Sequence, residues 1–126
     1  MGNRTSAQKL AALARIAGMK RDADLASLSA ASARLTEAED SLGRLRSALD
    51  GEIRKAVADP EVPVLQALDQ HIILSERSRA ALETRIATLN AERDRTRAAA
   101  AKSFGRALVL ATLGDRHRKA AHKTDG

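Results

Sequence analysis

The chain has 126 residues, a formal net charge of +6, no cysteine, tryptophan or tyrosine, and a single phenylalanine. Disulfides and thiolate metal sites are therefore excluded, and the near-absence of aromatic side chains argues against a thick multi-layer core. The apolar residues are 27 Ala against 28 larger side chains, a composition that favours long helices packed along a narrow seam.

Met1–Arg4 reads as a frayed lead-in. Thr5 followed by Gln8 fits a capping box, so the first helix is expected to start near residue 6. Leu10, Leu13, Ile16 and Met19 recur at three-residue steps, with Ala12, Ala17 and Ala23 on the same broad face. The register slips through Leu25, and a regular heptad then runs through Leu28, Leu35, Leu42 and Leu49, with Ala31, Ala38 and Leu45 between them. Such spacing predicts a coiled-coil seam and a helix over about 6–58.

Asp59-Pro60-Glu61-Val62-Pro63 holds both prolines of the chain. Proline inside a helix costs about 3 kcal/mol, so two so close together mark a turn over 59–63. Asp59 is a candidate N-cap and Pro60 suits a first helical position. From Leu65, alternating steps of three and four reach Leu68, Ile72, Ser75, Arg79, Leu82, Ile86, Leu89, Arg93, Thr96, Ala100, Ser103, Ala107 and Leu110. A second helix is expected over about 63–114. Gly114-Asp115 offers a stop, and residues 115–126 read as a basic, partly disordered tail.

One all-α domain over 1–126 follows, two long helices in an antiparallel coiled-coil hairpin. Centring the turn near Glu61 sets Leu49 against Ile72, Leu35 against Ile86 and Leu13 against Leu108. It also places Phe104 opposite the small pair Ala17 and Gly18. Ala-rich flanks such as Ala98–Ala101 would admit another helix, so a homodimer forming a four-helix bundle is one expectation.

Candidate chemistry is sparse. His117 and His122 are five apart, which misses the spacing that sets two ligands on one helical face. His71 has Asp69 nearby but no second ligand in register. Glu37, Glu39 and Asp40 form an acidic cluster, yet paired carboxylates need a cleft that excludes water before they act as acid and base. No catalytic, cofactor-binding or metal site is expected, and the chain reads as a non-enzyme. No apolar run approaches the ~20 residues of a membrane span, and the expected address is the cytoplasm.

Charge is the informative feature. Residues 1–27 carry five basic and two acidic groups, 28–63 five and seven, and 64–126 twelve and seven. Pairs such as Glu92 with Arg95, and Asp94 beside Arg97, account for part of the central stretch as a solvated helix face. They leave the basic excess of the end that holds both termini unexplained. The partner-binding candidates are Arg15, Lys20, Arg21, Arg93, Arg95, Arg97, Lys102, Arg106, Arg116 and Arg118. Such a surface suits acidic protein partners, where charge sets association rate and specificity. The alternatives are a nucleic-acid binder, disfavoured by the lack of an aromatic stacking platform, and a generic coiled-coil scaffold.

Leu10-x-x-Leu13-x-x-Ile16 followed by Lys20, Arg21 and Asp22, the heptads to Leu49, the long returning arm and the basic stretch from Arg93 to Lys119 together resemble the FliJ/YscO family of type III export stalk proteins. The chain is shorter and poorer in Glu and Gln than is usual in that family. The resemblance implies a cytoplasmic component of the flagellar or injectisome export apparatus, seated in the export ATPase ring and contacting the export gate. It assigns no individual residue.

Overall fold

In the computed structural model the backbone is described from residue 2 to residue 125 and the side chains from 5 to 123. Two helices, α1 (Gly2–Ala58) and α2 (Val62–Asp125), pack against each other, and no strand occurs among the described residues. The fold is the helical hairpin that the heptads and the paired prolines predict.

The turn is tighter than expected. The Asp59 N–H donates to the Lys55 carbonyl at 3.2 Å, so Asp59 closes α1 and does not cap α2. The Glu61 N–H donates to the Asp59 carbonyl at 3.0 Å, a three-residue turn centred on Pro60. The Glu61 carbonyl accepts the first bond of α2, from Leu65 at 2.9 Å. Pro63 therefore lies in the first turn of α2, where its missing N–H would have had no helical partner.

The contacts divide the chain into two compact units, one of residues 31–93 and one of 1–30 with 94–126. In the first, the turn unit, the inward positions of α1 are Ala31, Leu35, Ala38, Leu42, Leu45, Leu49 and Ala56. Those of α2 include Leu68, Ile72, Ser75, Arg79, Leu82, Ile86, Leu89 and Arg93. Leu35, Ala38 and Leu89 form a buried cluster, with Ile86 packed against it. Leu35 and Ile86 therefore belong to the same apolar packing of the turn unit. Arg34 is paired with Glu92, and Arg46 with Glu83 at 3.6 Å. Glu92 therefore bonds across the hairpin, about one helical turn further along α2 than centring on Glu61 would place Arg34.

In the terminal unit the inward positions of α1 include Ala7, Leu10, Ala14, Ala17, Arg21, Asp24 and Leu28. Those of α2 are Thr96, Ala100, Ser103, Ala107, Leu110, Gly114, His117 and Ala121. Alternating steps of three and four thus persist to the start of α1, and the slip expected near Leu25 does not occur. The buried residues here are the small Ala100, Ser103 and Ala107. Leu13, Ile16, Met19 and Leu25 lie off the seam and are exposed, as are Phe104 and Leu108. Leu13, Leu108 and Phe104 are therefore flank residues, not the seam residues that the expected Leu13–Leu108 pairing and the seating of Phe104 against Ala17 and Gly18 would make them. Small residues let helices approach closely, and that leaves the larger side chains on the flanks.

Both outer helix boundaries differ from expectation. α1 runs through Thr5 from Gly2, so the Thr5–Gln8 capping box is not its start; Met1 lies outside the described residues. α2 does not stop at Gly114 but continues to Asp125. No glycine has a positive φ among the described residues, so Gly114 adopts no C-cap conformation. Beyond it, His117 and Ala121 continue the inward face, and Ala120 and Ala121 favour helix.

Candidate functional site

The terminal unit carries thirteen basic and five acidic side chains, a net of +8, whereas the turn unit carries nine and eleven, a net of −2. The positive field therefore arises from one unit. Within it the candidate cations are not gathered into one patch. Arg15, Arg95, Arg97 and Arg116 are exposed at different angles around their helices. Arg21 is half-buried, bonded to Asp22 at 3.1 Å, and its guanidinium lies beside Gly18. Arg118 is paired with Asp115 and flanks a small cleft with Ala7 and His117. Arg93 belongs to the turn unit and is half-buried on the inward face of α2.

Three of the candidates do converge. Lys20, Lys102 and Arg106 border an open groove of about 730 Å³ whose apolar lining includes Leu13, Ile16, Val109 and Leu110. Ala17, Ala101 and Gly105 complete the lining, and no carboxylate takes part in it. Heptad geometry explains the grouping. Leu13 and Lys20 immediately precede the inward Ala14 and Arg21, and Arg106 immediately precedes Ala107, so all flank one side of the seam. Leu13, Ile16 and Val109 are 51%, 62% and 57% exposed, an apolar patch open to solvent. Exposed apolar side chains grouped beside cations make this the candidate contact surface of the terminal unit. Periodicity alone assigned Leu13 and Ile16 to the seam and so missed them as surface. The signal that finds them is the Leu28–Ala31 heptad run backwards, which lands on Asp24, Arg21, Ala17 and Ala14.

Asp24 organises this region. Its carboxylate accepts hydrogen bonds from the Ser103 hydroxyl and, at 3.0 Å, from the Lys20 ammonium. These bonds, the Ser103 one foremost, hold the carboxyl below its ordinary 3.8. In the turn unit Arg79 bonds to Glu76 at 2.6 Å and Glu83 at 3.1 Å, which lowers Glu76 and raises Arg79.

No group of three or more His, Cys, Asp or Glu side chains suited to a metal ion occurs among the described residues. Glu37, Glu39 and Asp40 are all exposed, and so are His71 and His122. Among the described residues no helix is long and apolar enough to cross a membrane. The chain matches no family model, no curated protein and no solved structure.

Proposed function

We propose that the chain is a non-catalytic helical-hairpin interaction protein whose terminal unit binds acidic protein partners. The observation that carries the reading is the concentration of a net +8 in that unit together with an exposed apolar groove bordered by cations. Charge of one sign raises association rates, and apolar surface supplies the contact that charge alone does not. With the resemblance to FliJ/YscO proteins, the specific reading is a cytoplasmic component of a flagellar or related type III export apparatus. Its partners would be the export ATPase and the export gate.

Affinity capture from the native host with partner identification tests this directly. Arg95→Glu with Arg97→Glu should weaken capture of the export ATPase; unchanged capture of the ATPase by that variant, or its absence from the native eluate, rejects the assignment. Arg93 is left intact because its position on the inward face would confound binding with folding. A gel-shift titration against salt addresses nucleic acid, since phosphate-driven binding weakens steeply as salt rises. Retention of nucleic acid at moderate salt would favour that function instead.

A further inference from the structure

We infer that the Leu13–Ile16–Val109 groove is the seat of an amphipathic helix with acidic flanks, supplied by a partner protein, which docks alongside the terminal unit as a third helix. The inference rests on the reading of the chain as an interaction protein and adds the chemistry of the partner. The groove is apolar along its floor and cationic along its border, with Lys102 and Arg106 on one helix and Lys20 on the other. Lys20 shares its charge with Asp24, so Lys102 and Arg106 set most of the preference. From Lys102 to Val109 the border runs about 10 Å along the helix axis, two turns of an occupant. An apolar stripe repeating every three to four residues fits that length, and carboxylates beside the stripe meet the cations. A second copy of this chain is the poorer occupant. A symmetric contact through this groove would set the Lys20, Lys102 and Arg106 of one copy among the same cations of the other with no carboxylate between them, and like charges in apposition oppose association.

Gly105 offers a way to block the groove. Gly105 lies within α2, where glycine is less favourable than alanine, and a Cβ built on it meets nothing within 4 Å. Nothing within the hairpin therefore requires glycine there. Gly43, Gly51 and Gly114 are open in the same way, and Gly105 alone of these lines the groove, so a larger side chain there obstructs the groove without disturbing the hairpin.

The test is fluorescence anisotropy of a labelled helical peptide titrated with the full chain. The peptide carries Leu at alternating three- and four-residue steps, with Glu on both sides of that stripe. Two control peptides replace Glu by Lys or Leu by Ser. The acidic Leu peptide is expected to bind and both controls to bind at least about tenfold more weakly, because apolar and charged contacts are both needed. Ile16→Glu should weaken binding about tenfold or more by placing like charge and a polar group in the interface. Gly105→Leu should do the same by filling the groove, while leaving helicity and thermal stability at or above those of the parent. Lys102→Glu with Arg106→Glu should reverse the preference between the Glu and Lys peptides.

Equal binding of the Ser peptide, indifference to Gly105→Leu, or no binding of the acidic Leu peptide would each overturn the inference. A concentration-dependent dimer abolished by Gly105→Leu would assign the groove to a second copy and overturn it too. Capture of the export ATPase is scored separately. Peptide docking without ATPase capture rejects the export assignment alone, and ATPase capture without peptide docking rejects the groove alone.

Discussion

Ser103 of α2 donates its hydroxyl to the Asp24 carboxylate of α1, joining two polar residues on the inward faces of the terminal unit. Lys20, one turn before Asp24, donates to the same carboxylate. On α2 the inward neighbours of Ser103 are Ala100 and Ala107, and shape there does little to distinguish one register from the next. A polar pair on the seam supplies the register that packing leaves open.

The pair makes stability depend on pH in a definite direction. Asp24 is held below its ordinary 3.8 in the folded chain, with the Ser103 bond as the main cause. The folded chain therefore binds fewer protons than the unfolded one as pH falls. The stabilisation is complete above the ordinary carboxylate range and is lost as pH drops through the lower folded value. Ser103→Ala should accordingly lower the melting temperature at pH 7. The gap from the parent should narrow below about pH 4, where the unfolded carboxyl is largely protonated. Melting curves at several pH values check this, and a gap that is constant with pH would refute it.

The two units should differ in local stability. Leu35, Leu42 and Leu89 are buried in the turn unit, against Ala100, Ser103 and Ala107 in the terminal one. A buried Leu side chain contributes about 1.5–3 kcal/mol, far more than alanine. Native-state hydrogen exchange should therefore show stronger amide protection across 31–93 than across 1–30 and 94–126. Uniform protection would mean that the terminal seam gains stability from a source other than apolar burial.

Substitutions of large apolar residues should split along the same line. Leu35→Ala removes a side chain from the buried cluster and is expected to cost about 2–5 kcal/mol. Ile16→Ser, at a site 62% exposed, should change stability by no more than about 0.5 kcal/mol. Urea unfolding of both variants decides the point. A large loss for Ile16→Ser would place Ile16 in a core and remove it from the groove.

Much of this was legible in the sequence. The α2 series from Leu65 to Leu110 fell on the inward face almost throughout, including Ser75, Arg79 and Thr96, because the alternation of three and four fixes a face whatever residues occupy it. The start of α1 was misread because apolar periodicity follows the largest side chains. Here the seam is made of Ala7, Leu10, Ala14, Ala17, Arg21, Asp24 and Leu28, while Leu13, Ile16, Met19 and Leu25 serve the surface. The grouping of Lys20, Lys102 and Arg106 was hidden for a related reason. It needs the register between helices, and the turn alone misplaced that by about one helical turn, as the Arg34–Glu92 pair shows.

Gly114 provides the last test, because its neighbours and its own propensity pull in opposite directions. Glycine followed by Asp115 is a stop signal, yet α2 continues to Asp125 without a positive φ at any described glycine. A Cβ built on Gly114 meets nothing within 4 Å. Gly114→Ala should therefore raise helix stability by about 0.5–1 kcal/mol, through the lower entropy of the unfolded chain and the better propensity of alanine. Circular dichroism should show unchanged or slightly higher helicity, and hydrogen exchange should show slower opening from 114 to 123. If Gly114 instead ended the helix in a left-handed conformation, the same substitution would be destabilising, because a side chain there is strained. The sign of the change separates the two arrangements.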